Sequence, residues 1–311
     1  MKLRPAGALF LAGALLLTLP LLLYSKAQWQ RSPRTDLETL LFEGITYRRE
    51  VHEVPWPYIV HVVQIDLTTP GIDVQVSSGN SAGDDFETTA QTVSDFLTDN
   101  DLQLAVNAHF FYPFREKTPW NFYPQTGDRV NVVGQAIAEG VAYSPPRPAW
   151  PVLCFAADNR ARVAVGGSCP TDTQQAITGS ELLVMNGKTV PPLGKDLPYA
   201  RVAVAIDAVG EQLWLIVVDG KQPHYSQGVT LTQLGQIAVE LGADSALNLD
   251  GGGSTTLVAA TSTGPAVLNA PIHTRLPLRE RPVATQLGFR ANTVGSEQPG
   301  RVLSEGIGIS R

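Results

Sequence analysis

The sequence lacks the features that mark several large protein classes. Only 17% of its 311 residues are charged, the net charge is −6, and no basic stripe runs along the chain. A nucleic-acid partner is therefore not expected. The five histidines stand without metal-ligand spacing, so no cofactor is predicted, although a divalent metal stays open. Those histidines are His52, His61, His109, His224 and His273.

Long helical patterns are scarce, whereas proline and glycine are frequent, with 23 and 28 residues. This composition favours a β-rich architecture. We expect an α+β or mixed α/β fold: a β-rich single domain at 58–292 with a mixed sheet and a few helices. Residues 28–57 are polar and are interpreted as a linker, and 293–311 as a flexible tail.

The N-terminus has a basic start followed by an uncharged run. Lys2 and Arg4 precede the apolar segment 6–24, and the small residues Ser25 and Ala27 follow at the −3 and −1 positions of a possible cleavage site. This order is typical of a cleaved signal peptide over 1–27. The run is also long enough for a membrane anchor, which takes roughly 17–25 residues, so membrane attachment through 6–24 is the alternative. Either way, we expect an exported protein that is periplasmic, extracellular or membrane-anchored.

Cysteine is almost absent. The chain has two, Cys154 and Cys169. In an exported protein an even count at short spacing predicts a disulfide. Closing a loop of about 15 residues would contribute roughly 3 kcal/mol to stability in the chain-entropy model. Two buried thiols are the alternative.

Regular structure is readable at the two ends of the predicted domain. Apolar and alternating runs predict strands at 58–67, 72–77 and 102–107, and helical spacing predicts a helix within 88–100. The segment 113–200 has no readable organisation.

The C-terminal part predicts a strand–helix–strand unit. Strands are expected at 201–207, 212–218 and 245–250. Between the last two lies the best helix of the chain, from Thr230 to Leu241. Thr230 and Gln233 fit a capping box, and Gly242 supplies the stop.

Two of these strands end in an aspartate followed by glycine, namely Asp219 and Asp250. If the connecting helix makes the usual crossover, the two strands run parallel. Both carboxylates then open onto one edge of the sheet, where ligands bind in α/β folds. An Asp-Gly pair is also ordinary turn chemistry, which is the competing interpretation for Asp219.

The stretch after Asp250 reads GGGSTT. No helix-opening dinucleotide fingerprint, P-loop, calcium loop or nucleophile elbow fits it. What remains is a backbone nest, in which successive glycine N–H groups converge on an anion. The hydroxyls of Ser254 and Thr255 add donors, and four cations are candidates to balance the charge: Arg201, Lys221, Arg279 and Arg281.

These segments resemble the phosphodiester glycosidase family over roughly residues 60–290. The resemblance rests on NLDGGGSTTLV, VNAHFF, ARVAVAID with VVDGKQ, and ERPVATQLGF. The family includes the uncovering enzyme that removes N-acetylglucosamine from a mannose phosphodiester, and bacterial members are labelled exopolysaccharide biosynthesis proteins. One departure lies at Asn107-Ala108-His109-Phe110-Phe111, where relatives commonly have Asn-Gly-Gly-Phe-Phe.

The resemblance implies a hydrolase of sugar-1-phosphodiesters, with a glycan or sugar phosphodiester as its partner. Asp250 would be the nucleophile or base, with Asp219 as its catalytic partner. The remaining predicted substrate-binding residues are Asn107, His109, Phe110, Arg201, Gly220, Gly251, Gly252, Gly253, Ser254, Thr255 and Arg281. Two alternatives stay open: a non-catalytic phosphoglycan- or polysaccharide-binding protein of the cell envelope, and cleavage at the P–O bond.

Overall fold

The computed structural model describes residues 18, 21–22, 24–26, 28–80, 85–192, 194 and 196–295. Most of the predicted leader at 1–27 and of the predicted tail at 293–311 lies outside the described residues, so both stay predictions. Within the described part of the chain, no helix is both long enough and apolar enough to cross a membrane.

The described chain is built mainly from strands, which confirms the β-rich expectation. The strands are β1 (Leu37–Phe42), β2 (Ile45–His52), β3 (Tyr58–Asp66), β4 (Asp73–Val76), β5 (Thr88–Thr89), β6 (Leu104–Asn107), β7 (Phe111–Tyr112), β8 (Arg115–Thr118), β9 (Asn121–Tyr123), β10 (Arg129–Val132), β11 (Ala136–Ala138), β12 (Val141–Ser144), β13 (Val152–Phe155), β14 (Ala161–Ala164), β15 (Gln175–Thr178), β16 (Glu181–Met185), β17 (Lys188–Thr189), β18 (Arg201–Ile206), β19 (Gln212–Val218), β20 (Ser245–Leu249), β21 (Leu257–Thr261), β22 (Gly264–Val267) and β23 (Gln286–Arg290). The α-helices are α1 (Val93–Asp99) and α2 (Leu231–Glu240).

The largest sheet has eight strands in the order β1-β2-β3-β19-β18-β20-β16-β17. All seven neighbouring pairs are antiparallel, so the expected mixed sheet is wrong for this sheet. Strand β18 is central and buried along almost its whole length, because both faces of the sheet are covered. That explains its unbroken apolar sequence.

The main hydrophobic core lies between the eight-stranded sheet and two five-stranded sheets. The latter have the orders β22-β21-β6-β23-β4 and β12-β11-β15-β13-β14. Leu215 and Leu247 from the large sheet belong to the same apolar cluster as Leu104, Leu287 and Phe155 from the smaller ones. Helix α2 covers the outer face of the large sheet, and α1 packs on β6 and β21.

The predicted linker at 28–57 is wrong for its central part, which forms β1 and β2. Strand β2 pairs with β3 along its full length, from Ile45 opposite Ile65 to His52 opposite Tyr58. The charged run in β2 concealed this strand in the sequence. Arg49 points inward, and its Nε donates to the carbonyl of Thr35 at 2.8 Å.

Two local predictions are confirmed. Helix α2 begins after the capping box, in which the Thr230 hydroxyl accepts from the Gln233 amide and the Gln233 side chain accepts from the Thr230 amide. Cys154 and Cys169 form a disulfide. The helix expected within 88–100 is shorter, because Thr92 caps it and Thr88–Thr89 pair as a strand instead.

Candidate active site

Strands β19 and β20 point in the same direction, because each pairs antiparallel with β18 between them. Asp219 directly follows β19, and Asp250 directly follows β20. The predicted parallel relation of the two strands is therefore confirmed, with one strand intervening. Their C-terminal ends lie at the same edge of the sheet as the start of β18.

A cavity of about 470 Å³ opens at this edge. It is lined by Phe110, Phe111, Phe114, Glu116, Tyr199, Arg201, Lys221, Asn248, Leu249, Asp250, Gly251, Gly253 and Arg281. Six predicted site residues are among these: Phe110, Arg201, Asp250, Gly251, Gly253 and Arg281. The lining combines aromatic rings, two carboxylates and three cations, which suits a ligand with an apolar face and an anionic group.

The backbone of Asp250 is fixed on both sides. Its amide donates to the Ala108 carbonyl at 3.0 Å, and its carbonyl accepts from Asn107 Nδ2 at 2.6 Å. These bonds tie the end of β20 to the end of β6. The direction in which the Asp250 side chain leaves the backbone is therefore set by two sheets together.

Burial raises the pKa of the Asp250 carboxyl from 3.8 to about 6. Hydrogen bonds from the Ser254 side chain and the Gly251 amide act in the opposite direction. So do the positive charges of Arg281 and Lys221. A carboxyl with a pKa near 6 is mostly ionised at neutral pH and still basic enough to accept a proton, which is the property of a general base.

Arg281 connects the two carboxylates of the cavity. Its Nη1 donates to Ser254 Oγ at 3.0 Å, its Nη2 binds Glu116, and its Nε donates to His273 Nδ1 at 3.2 Å. The guanidinium also lies 4.6 Å from the centre of the Phe114 ring. Because Arg281 is only 7% exposed, its orientation is strongly restrained.

Glu116 was not predicted, and it is the second carboxylate of the cavity. It lies on the two-stranded sheet formed by β8 and β9. Burial alone would raise the pKa of its carboxyl, but the charge and hydrogen bond of Arg281 dominate and the pKa is lowered. Glu116 and Asp250 thus have pKa values pushed in opposite directions, which is typical of paired carboxylates with different chemical roles.

The protein itself fills the space beside the three glycines. A Cβ on Gly251 would lie 2.5 Å from the Ala200 carbonyl oxygen, on Gly252 2.7 Å from the Tyr199 ring, and on Gly253 2.4 Å from Arg281 Nη2. Gly252 also has a φ of +65°. The glycines therefore allow close packing of the protein on this turn.

The expected anion nest at these glycines loses two of its three glycine donors, and the rest of the nest stays a prediction. The Gly252 amide donates to the Ala200 carbonyl at 2.8 Å, and the Gly251 amide donates to the Asp250 carboxylate. Neither amide is left for a ligand. The Gly253 amide and the cations of the cavity remain as predicted anion-binding groups.

Lys221 is held in a backbone conformation that few non-glycine residues adopt, with a φ of +59°. The preceding Gly220 does not line the cavity. A Cβ there would lie 2.2 Å from the Ala200 amide nitrogen, so Gly220 allows two backbones to pack together. Lys221 Nζ lies 4.2 Å from the centre of the Tyr199 ring. Among the described residues, no hydrogen bond or ion pair engages this ammonium group.

Asp219 does not reach the cavity. Its Oδ2 contacts His61 Nε2 at 3.0 Å, and its Oδ1 accepts from Asn269 Nδ2 at 3.1 Å and from the Ala270 amide at 2.8 Å. The side chain is fully buried. Asp219 thus joins β19 to β3 and to the segment after β22, a position that favours a structural role over the predicted catalytic one.

Asn107 and His109 are also buried and do not line the cavity. Besides Asp250, Asn107 contacts the amide of Thr256, which donates to its Oδ1 at 3.0 Å. His109 Nε2 accepts from the Thr178 amide at 2.8 Å, and burial lowers the pKa of His109 to about 4. Both side chains therefore form hydrogen bonds with other groups of the protein. The departure of residues 107–111 from the family pattern did not indicate this.

Ser254 and Thr255 take part in hydrogen bonds around the glycine turn. Ser254 is fully buried between Asp250 and Arg281, so it acts on the carboxylate directly. The Thr255 carbonyl accepts from Asn269 Nδ2 at 3.0 Å.

Three cavity residues that were not predicted from the sequence are Phe111, Phe114 and Glu116. They lie in the aromatic-rich run FFYPFREKTPWNFYP, which is the one sequence signal that would have indicated them.

Two solved structures that share the fold are distantly similar in sequence. The catalytic domain of zebrafish N-acetylglucosamine-1-phosphodiester alpha-N-acetylglucosaminidase, auto-inhibited by its pro-peptide, is 20% identical with a TM-score of 0.53, over 84% of each chain. A hypothetical protein from Synechocystis is 16% identical with a TM-score of 0.57, over 84% of this chain and 64% of its own. The present chain thus spans slightly under two thirds of that protein.

No curated protein matches the chain. The family model for phosphodiester glycosidases, in contrast, matches residues 100–290, which is more than half of the sequence. That range contains Glu116, Asp250 and the other cavity residues from Phe110 to Arg281. The chain belongs to the phosphodiester glycosidase family.

Proposed function

We propose that the cavity hydrolyses a sugar-1-phosphodiester, of the N-acetylglucosaminyl phosphodiester type, at the bond between C1 and the bridging oxygen. The products are the free sugar and a phosphate monoester. The observation that supports this most strongly is the proximity of one carboxyl of raised pKa, Asp250, to the cations Lys221, Arg201 and Arg281. Family membership supports the same reaction class.

Asp250 acts as the base for water or as the nucleophile on C1. As a base, it takes a proton from the water molecule whose oxygen bonds to C1, while the electron pair of the C1–O bond leaves with the phosphate. With a pKa of about 6, the carboxylate is available at neutral pH. Alternatively, a covalent sugar–Asp250 intermediate is formed and then hydrolysed.

The cations stabilise the leaving phosphate. A phosphate monoester is a weak base, so it needs little protonation and mainly needs its negative charge to be balanced. Lys221 has uncommitted donors, and Arg281 presents a fixed guanidinium. Arg201 lines the same cavity, although it donates to the carbonyls of Val229 and Leu197.

The sugar packs on the aromatic side of the cavity. Phe110 lines it, with its ring edge-to-face with Trp150 at 5.7 Å between centres. Asn248 lines it as well, and among the described residues its Oδ1 has no hydrogen-bond partner. A buried acceptor without a partner favours a ligand donor, such as a sugar hydroxyl.

We also propose that the protein acts outside the cytoplasm. The basic and then apolar start of the chain and the Cys154–Cys169 disulfide support export. N-terminal sequencing of fractionated cells tests this. An intact Met1 on cytoplasmic material contradicts it.

The decisive experiment separates three activities with one substrate. An N-acetylglucosaminyl phosphodiester is incubated with the protein, and the sugar products are identified by mass spectrometry in ¹⁸O water. Free sugar together with a phosphate monoester that carries no ¹⁸O supports the proposed C–O cleavage. Sugar phosphate supports P–O cleavage, and binding without any product supports a phosphoglycan-binding protein.

A further inference from the structure

The charges that line the cavity are unequal in number. Arg201, Lys221 and Arg281 supply three positive charges, and Asp250 and Glu116 supply two negative charges when ionised. The difference is one net positive charge. A phosphodiester carries one negative charge, whereas the phosphate monoester that hydrolysis releases carries close to two at pH 7.

Glu116 and Asp250 lie on different structural elements. Asp250 ends a central strand of the large sheet, while Glu116 lies on the separate two-stranded sheet of β8 and β9, whose residues are mostly exposed. Its side chain is 25% exposed, against 9% for the Arg281 side chain that it binds. Glu116 is therefore the solvent-facing partner of a buried cation.

Glu116 interacts with the same cations that would bind a phosphate. It binds Arg281 Nη2, and the charge of Lys221 acts on Glu116 as well as on Asp250. His273 also faces Glu116, with Nδ1 3.4 Å from Oε2. Burial and the Arg281 charge lower the pKa of His273 to about 4, so it adds no positive charge at neutral pH.

We infer that Glu116 is a specificity-determining residue that makes the cavity select a phosphodiester monoanion over a phosphate monoester dianion. This rests on the proposed function. By holding a negative charge beside Lys221 and Arg281, it lets one substrate charge be neutralised and leaves the second one repelled. The substrate is thereby accepted, and the product is expelled as soon as the C1–O bond breaks.

The test compares two small probes that lack a sugar. Dimethyl phosphate is a monoanion and methyl phosphate is mainly a dianion at pH 8. Their dissociation constants are measured by calorimetry for the wild-type chain and for Glu116→Gln. We expect the preference for methyl phosphate over dimethyl phosphate to rise by about tenfold or more in Glu116→Gln, because a unit charge a few ångströms away has been removed.

Two further variants serve as controls. Glu116→Asp keeps the charge and should keep the wild-type preference. Glu211→Gln makes the same chemical change in an exposed ion pair with Arg160, away from the cavity, and should also leave the preference unchanged. Circular dichroism confirms that each variant is folded.

Turnover provides an independent readout. In Glu116→Gln, inhibition by inorganic phosphate at pH 8 should strengthen by a similar factor, because product release has become harder. An unchanged probe preference in folded Glu116→Gln overturns the inference, as does an equal weakening of both probes, since Glu116 would then only position Arg281. A changed preference without any sugar-phosphodiester turnover retains the inferred selectivity and rejects the proposed hydrolysis.

Discussion

Asp219 and Asp250 occupy equivalent places in the sheet, yet their surroundings differ completely. Each follows a buried strand, each precedes glycine, and the two strands point the same way. Asp219 accepts hydrogen bonds from Asn269 and Ala270 and contacts His61, all inside the protein. Asp250 instead lines a cavity that contains cations.

The difference arises from what covers each strand end. Strand β19 ends against β3 and the segment around Asn269, so polar groups of the protein surround its carboxylate. Strand β20 ends beside β6 and the glycine turn, where Tyr199 and Arg281 pack on the backbone and leave the cavity open. The same Asp-Gly signature therefore gives a structural site in one place and a candidate catalytic site in the other.

The largest expected effect is on turnover. Asp250→Asn should lower the hydrolysis rate of an N-acetylglucosaminyl phosphodiester by ~10²-fold or more, because the base or nucleophile is lost. Asp219→Asn should stay within about tenfold of wild type when folded, since its side chain does not line the cavity. Rates at 25 °C for the two variants check this. Equal losses would restore Asp219 as the catalytic partner.

The second effect is on stability and reverses the order of the two residues. Asp219→Asn should lower the free energy of unfolding by about 1–3 kcal/mol, because one of its oxygens becomes an amide donor within a fully buried network. Urea denaturation followed by circular dichroism measures it. A variant as stable as wild type would mean that His61 and Asn269 rearrange without loss.

A third prediction concerns the glycine turn that separates the two environments. Gly252→Ala should lower the free energy of unfolding by about 1–3 kcal/mol, since φ is +65° and a Cβ meets the Tyr199 ring. Gly187→Ala is the matched control, with a φ of +70° and nothing within 4 Å of the added Cβ. If the two substitutions cost the same, packing on Tyr199 contributes nothing beyond backbone strain.

A fourth effect, confined to one pH range, is the pH dependence of stability at Asp250. Its pKa is raised to about 6 in the folded protein, so its stabilising contribution is present below about pH 4 and is lost as pH rises through 6. Asp250→Asn should therefore be more stable than wild type by up to about 3 kcal/mol at pH 8 and close to it near pH 4. Thermal unfolding at the two pH values measures this difference. A gain of the same size at both would contradict the raised pKa.

Local sequence determined those elements whose stabilising groups are close along the chain. The capping box of α2 needs only Thr230 and Gln233, and both hydrogen bonds are formed as predicted. The Cys154–Cys169 disulfide spans 15 residues, and exported chains with two cysteines have one way to pair them. The parallel relation of β19 and β20 followed from the helix that connects them, because a covering helix restricts the path of the chain.

Only the tertiary structure decided the chemistry of the site, because its contacts join residues far apart in sequence. Glu116 binds Arg281, which lies 165 positions later in the chain, and the sequence around Glu116 does not indicate that pairing. Strand β2 was concealed by charges that find partners only after folding, such as Arg49 on Thr35. The different environments of Asp219 and Asp250 have the same origin. Their local sequences match, but the groups that hydrogen-bond to Asp219, and those that leave Asp250 facing the cavity, come from distant segments.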